Sequence, residues 1–230
     1  METAITTSNM HAKRTGYAAL GAIAILLLVF IYGIAIGSQV FPGITDPFIP
    51  AKIGANMLAA SLNSTMQLVY GTAIIALAVL LSYYRPSPLS NVLRIALVAG
   101  IIGGAGFIAA GAISQEKVFL SVFYTPEQSM EMAQAIGTSD LTVINMALEM
   151  VAGGMRSAGS YAFGWALILW GIVALRARRF PAVLNWIGIA SGVFFALTNW
   201  IGPIAGPFAF LGLIIWHIWL GIYLLRSKAA

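Results

Sequence analysis

The chain has 230 residues, 60% of them hydrophobic and only 8% charged, with 12 basic and 7 acidic side chains and no cysteine. A soluble domain carries about 25% charged residues, so a water-facing globular surface is excluded, and the lack of cysteine excludes disulfides, thiolate metal sites and cysteine nucleophiles. The net charge of +5 is spread in small groups rather than gathered into a basic face that could follow a phosphate backbone, which argues against nucleic acid as a partner.

The charges cut the apolar sequence into blocks. None falls between Arg14 and Asp46, between Lys52 and Arg85, between Arg94 and Glu116, or between Arg156 and Arg176. Phe180 to Leu225 is also uncharged and holds Pro203 and Pro207 near its middle. A spanning helix needs about 20 apolar residues, so this last block holds two helices joined by a tight turn. The predicted spans are Tyr17–Ile36, Leu62–Tyr83, Val92–Ile113, Ser157–Leu175, Val183–Trp200 and Phe208–Leu225. The first follows Lys13 and Arg14 and is longer than a signal-peptide core of about 7–15 residues, so it reads as a retained anchor.

With the N-terminus inside, nine basic residues (Lys13, Arg14, Arg85, Arg94, Arg176, Arg178, Arg179, Arg226, Lys228) lie on the inner side, and Lys52, Lys117 and Arg156 lie outside. The positive-inside rule then sets both termini in the cytoplasm. The inner connections carry helix-stopping prolines, Pro86, Pro88 and Pro181. Trp186, Trp200, Trp216 and Trp219, with Tyr17, Tyr83 and Tyr84, fit an interfacial aromatic belt. Gly33 and Gly37, Gly100 and Gly104, and Gly188 and Gly192 put small residues on single helix faces, as does the strip Ser157, Ser160, Gly164. Such faces let backbones approach closely, within the chain or across a dimer.

Residues 114–156 form the one long outer segment. Thr125-Pro126-Glu127 is a helix start, with a capping hydroxyl, proline at the first helical position and an acid in the first turn. That helix is expected to stop at Gly137. Ser139 and Asp140 start a second, with Leu141, Ile144, Leu148 and Val151 on its apolar stripe and Gly153-Gly154 ending or kinking it. The expectation is a cap of two short amphipathic helices; the alternative is one long helix from Leu141 to Leu175. Met130, Met132, Met146, Met150 and Met155 cluster here. Thioethers favour Cu(I), which makes Met130, Met132, Met146 and Met150 weak metal candidates; filling gaps between cap and bundle is the other reading.

Few polar residues enter the spans. Asn63, Gln67 and Tyr70 recur along the outer half of the second helix, Asn199 caps the fifth, and Glu149 and Arg156 share a face at the start of the fourth. These six could line an outward-open polar cavity, or could make interhelical hydrogen bonds and an ion pair. His217 is the one titratable group placed at mid-depth and is the candidate cofactor-binding residue, since an imidazole can ligate haem or chlorin or bond a quinone carbonyl. Trp216, Trp219 and Tyr223 form an aromatic stripe beside it, and Gly221 leaves a gap on its own face. Without a cofactor, the imidazole is expected to bond a neighbouring helix. The other histidine, His11, precedes the first span, so a bis-histidine haem is unavailable within one chain. No cofactor is identified. No nucleophile elbow, HExxH, P-loop or paired carboxylates propose catalysis.

Two stretches, Phe180-Pro-Ala-Val-Leu-Asn-Trp-Ile-Gly-Ile-Ala-Ser-Gly192 and Phe210-Leu-Gly-Leu-Ile-Ile-Trp-His-Ile-Trp-Leu-Gly-Ile-Tyr-Leu-Leu225, resemble a bacterial family of six-helix membrane proteins classed as a domain of unknown function. In that family a proline after the inner loop opens the fifth helix with a Trp-x-Gly-x-x-x-Gly pattern, and the last helix ends in a Trp-Leu-Gly-like run. Family members commonly carry a glutamate near the position of His217, where this chain has none. The resemblance implies the architecture and a bacterial inner membrane, not an activity.

The expected fold is therefore an all-α polytopic membrane helix bundle, a single domain over residues 1–230, with six transmembrane helices and a short helical cap on the outer side. The leading functional expectation is a non-catalytic accessory or scaffold subunit of a larger membrane complex, with the lipid bilayer and other membrane proteins or a second copy as partners. The alternative is a binder or carrier of a small apolar ligand such as a lipid, quinone or pigment.

Overall fold

The computed structural model describes residues 2–35, 57–83, 91–122 and 141–226, with Gln128, Glu131, Gln134 and Ala135. These residues are almost wholly helical: α1 (Glu2–Ala35), α2 (Met57–Tyr83), α3 (Asn91–Val122), α4 (Leu141–Arg176) and α5 (Ala182–Arg226). Helix α5 bends at Ile201 (φ −130°, ψ 40°) into two arms, so the bundle has six rods. The bend precedes Pro203, whose missing N–H breaks the helical ladder at that point. The expected turn is thus a kink within one helix. Four helical stretches, Ser61–Ser82, Asn91–Val118, Val143–Arg176 and Ile204–Arg226, are long and apolar enough to cross a membrane, and Ala182–Thr198 is a shorter apolar helix.

Consecutive helices pack on one another, and α5 returns to α1. Its second arm makes that closure, because Gly16 and Gly221 meet backbone to backbone. The rods therefore form a closed ring in chain order, and one connected core of buried side chains runs through it from Ala12 and Ala19 to Leu220 and Leu224. We call the end carrying Arg94, Arg176 and Arg226 inner, and the opposite end outer.

Glycine sets the spacing of the rods. A Cβ at Gly104 would lie 2.5 Å from the Gly71 carbonyl oxygen, and one at Gly192 would lie 2.5 Å from that of Gly164. Gly106 and Gly159 cross in the same way between α3 and α4. The small-residue faces of α3, α4 and the first arm of α5 are thus used inside the chain. Gly33 and Gly37 lie outside the residues whose side-chain surroundings are described.

Two helices run further than their spans require. At 1.5 Å per residue, α3 is about 48 Å long and α4 about 54 Å, against a hydrocarbon layer of about 30 Å. Both overshoot at the outer end. Helix α3 continues past Ile113 to Val122, and α4 begins at Leu141 and passes without a break through Gly153 and Gly154. The long-helix alternative describes Leu141–Arg176, and among the described residues there is no separate second cap helix. Among the described residues nothing lies within 4 Å of where a side chain at Gly153 or Gly154 would be. The start signal at Thr125–Glu127 lies outside the described residues.

At the inner end, α4 closes with a Schellman pattern. Arg178 adopts φ 49°, Arg179 N–H donates to Ala174 O at 3.0 Å and Arg178 N–H to Leu175 O at 3.2 Å. Buried Asn185 then reaches back, its Nδ2 donating to Phe180 O at 3.2 Å, which ties the short loop to the start of α5.

Candidate functional site

The outer ends of α2, α3 and α4 are joined by three polar links. Ser61 on α2 bonds Gln115 on α3, whose Nε2 donates to Ser61 Oγ at 3.0 Å. Lys117 on α3 holds Glu149 on α4 at 2.6 Å. Deeper in, Arg156 Nε on α4 donates to Gln67 Oε1 on α2 at 3.4 Å. The depth follows from packing: Gly103 lies against Phe163, and Gly106 against Gly159 and the Met155 carbonyl. Continuing that antiparallel register puts Arg156 level with Ala110. It is therefore about 10 Å further into the bundle than the Lys117–Glu149 pair.

Arg156 belongs to the buried row of α4. Asn145, Ala152, Gly159, Phe163, Ala166 and Trp170 are buried at the same helical spacing, and Arg156, half-buried, sits between Ala152 and Gly159. Gln67 occupies the matching row of α2, between Ser64 and Tyr70. Their hydrogen bond therefore bridges α2 and α4, the two helices flanking α3. Among the described residues no carboxylate pairs with Arg156, since Glu149 is held by Lys117. An arginine at the centre of a spanning helix costs about 3 kcal/mol, and less toward the ends. A single neutral amide at 3.4 Å compensates it weakly.

The candidate residues divide as follows. Gln67 and Arg156 come together. Tyr70, three residues on from Gln67, is 4% exposed, sits edge-on to Phe107 (ring centroids 5.3 Å apart), and its hydroxyl has no hydrogen-bond partner among the described residues. Asn63 is exposed, not inward as its spacing predicts, because the row that packs on α3 runs through Ser64, Leu68 and Gly71 instead. Glu149 faces Lys117 rather than Arg156. The Asn199 side chain lies outside the described residues. Lys117, Gln115 and Ser61 were not foreseen as members; the signal was available only by extending the third helix past Ile113, which brings Gln115 and Lys117 onto it.

His217 is fully buried. Its Nδ1 lies 2.9 Å from the carbonyl of Leu213, one turn back in its own helix, rather than meeting a polar group on a neighbouring helix. With the proton on Nδ1, Nε2 presents a lone pair, and that atom has no partner among the described residues. The gap expected at Gly221 is filled by α1: a Cβ there would lie 2.5 Å from Leu20 Cγ. A planar cofactor has no room in it. The aromatic stripe also divides. Trp216 is buried against Gly188, Trp219 is 38% exposed, and Tyr223 packs edge-on to Phe180 at 5.8 Å. His217 stands near the middle of the apolar stretch Ile204–Arg226, as its place in the sequence predicts.

The methionine expectation fares differently for its two halves. Met146, Met150 and Met155 are 48%, 68% and 43% exposed, so they do not fill gaps in the bundle. Met146 and Met150 are a turn apart on one exposed face, whereas Met130 and Met132 lie outside the described residues. Among the described residues no group of His, Asp and Glu has the arrangement to hold a metal ion.

Comparison with protein-family models, curated proteins and solved structures gives no match to this chain.

Proposed function

We propose that this chain is a six-span membrane protein with both termini on the cytoplasmic side, of the kind seen in the bacterial six-helix family it resembles. In this reading the ring binds a small apolar or amphiphilic ligand from the outer side. The observation that carries the proposal is a set of buried polar atoms. Tyr70 Oη on α2, Trp170 Nε1 on α4 and His217 Nε2 on the second arm of α5 are each buried without a partner among the described residues. Buried polar groups in native folds are nearly always satisfied, and leaving one unmade costs about 1–3 kcal/mol. Ser82 Oγ and Asn145 Oδ1 are also unpaired among the described residues; the three named lie on alternate rods of one ring, the arrangement that a ligand held in the ring would satisfy.

The scaffold reading leaned on small-residue faces available to a partner. The described ones on α3, α4 and the first arm of α5 are occupied by neighbouring rods of the same chain, which moves the balance toward ligand binding. Native mass spectrometry of the chain extracted in mild detergent, with an absorption spectrum of the same sample, tests the choice. The expected result is one amphiphile-sized adduct per chain that is weakened by Tyr70→Phe. A stoichiometric protein partner with no small adduct would overturn it in favour of the scaffold.

A further inference from the structure

Arg156 and Gln67 supply what the ligand-binding reading leaves open, the chemistry of the ligand's head. Arg156 brings a permanent positive charge into the buried row of α4, and among the described residues no carboxylate balances it. Its Nε is directed to Gln67 Oε1. The guanidinium fork retains its two terminal nitrogens as donors, and Gln67 retains its amide N–H groups. Tyr70, further in along the same helix, adds a buried hydroxyl without a partner among the described residues. Every one of these groups is a donor or can become one, and their summed charge is +1. That is the complement of a singly charged oxyanion, and the planar fork matches a carboxylate in a bidentate pair. Immediately inward of this point the packed side chains are apolar: Phe107 lies against Tyr70, and Phe163 packs edge-on to Phe195 at 5.7 Å.

Resting on the ligand-binding reading above, we infer that Arg156 and Gln67 form the head-group site for the carboxylate of a single-chain amphiphile whose tail runs inward past Tyr70 and Phe107. Lys117 contributes by holding Glu149. Were Glu149 free to fold back along α4, it would neutralise Arg156 and fill the site from within.

The test uses the full chain purified in dodecyl maltoside, with thermal unfolding followed by tryptophan fluorescence during titration with laurate, dodecanol or acetate. Laurate and dodecanol share a twelve-carbon tail and differ in the head; acetate has the head without the tail. The wild type is expected to take laurate about ten-fold more tightly than dodecanol and to show no response to acetate at the same concentrations. Arg156→Gln should bring laurate down to the level of dodecanol. Gln67→Glu places a carboxylate beside Arg156 within the chain, so it should raise the melting temperature without ligand and abolish the response to laurate. This second variant keeps the test decisive even if Arg156→Gln does not fold. Equal responses to laurate and dodecanol, unchanged in either variant, would overturn the carboxylate assignment and leave ligand binding standing. A response to acetate equal to that for laurate would assign the site to a free anion and overturn the amphiphile. No response to any of the three would overturn both.

Discussion

Lys117 and Glu149 meet at 2.6 Å across the outer ends of α3 and α4, and this pairing leaves Arg156, seven residues further along α4, with a neutral amide for company. Glu149 and Arg156 lie on one helix face, so from spacing alone they look like natural partners. The continuation of α3 beyond Ile113 decides otherwise by bringing a second cation to the carboxylate.

The pair is partly shielded, with side chains 12% and 30% exposed, and should contribute about 1 kcal/mol, at the upper end for an ion pair near water. A double-mutant cycle with Lys117→Gln and Glu149→Gln, read by thermal unfolding, checks the coupling. Each single change is expected to lower stability, and the double change to lower it by less than the sum. Strict additivity would show that the contact contributes nothing.

The glycines of the bundle should divide sharply by location. A methyl at Gly104 would press on the Gly71 carbonyl and on Ile75, and backbone against backbone cannot yield as a flexible side chain can. Gly104→Ala should cost about 1–3 kcal/mol. Among the described residues Gly153 and Gly154 have nothing within 4 Å of that position, and they lie inside a continuous helix, where alanine is favoured over glycine by up to about 1 kcal/mol. Gly153→Ala and Gly154→Ala should therefore raise the melting temperature. A drop at either would mean that the outer part of α4 is covered by something that needs those gaps.

Much of the architecture was legible because charge and hydropathy act at the scale of a whole span. The block between Lys52 and Arg85 contains the apolar stretch Ser61–Ser82, and that between Arg156 and Arg176 contains the inner part of α4. The helix ends were poorly legible where a helix leaves the apolar layer without stopping. The polar run Ser114-Gln115-Glu116-Lys117 reads as the end of a span although α3 continues through it to Val122, and Gly153-Gly154 resembles a terminator although the helix passes through it. Gln67 with Arg156 could be proposed from position along their helices. The partners of Glu149 and His217 could not. The first depends on how far α3 extends, and the second on a carbonyl of its own helix and on which side chain of α1 enters the space at Gly221.

The orientation is a separate prediction, resting on the distribution of Lys and Arg. A cysteine placed at Ser129 should react with a membrane-impermeant thiol reagent in intact cells, and one at Ser87 should react only after lysis. The chain has no cysteine of its own, so the background is clean. The reverse pattern would invert the topology, moving the proposed Arg156 site to the cytoplasmic side.

Arg178 holds a positive φ of 49° at the end of α4, a conformation that costs an L-residue about 1–2 kcal/mol and glycine little. Arg178→Gly should therefore stabilise the isolated protein, by about 1 kcal/mol or less once the greater freedom of glycine in the unfolded chain is counted. The same change leaves eight of the nine basic residues that the sequence assigns to the cytoplasmic side, so the topology should not change. Thermal unfolding and the Ser129 and Ser87 labelling pair, applied to this variant, separate the two effects.

His217 offers the most direct view of whether the buried polar atoms serve a ligand. Its Nδ1 contact is to Leu213 O within the same helix, a carbonyl positioned to accept the helical bond from the His217 backbone as well, so removing the ring orphans no other group. Leucine is close to imidazole in size and carries no polar atom. Replacing a buried unpaired polar group by an apolar one of similar shape is nearly neutral or stabilising. In protein stripped of bound amphiphile, His217→Leu should thus melt at the wild-type temperature or above it. In protein carrying its native adduct, a ligand bonded to Nε2 would make the same substitution destabilising, and the adduct would be lost more readily in native mass spectrometry. A loss above about 2 kcal/mol in the stripped protein would mean that Nε2 is bonded within the chain itself. That result would remove His217 from the set of atoms on which ligand binding rests.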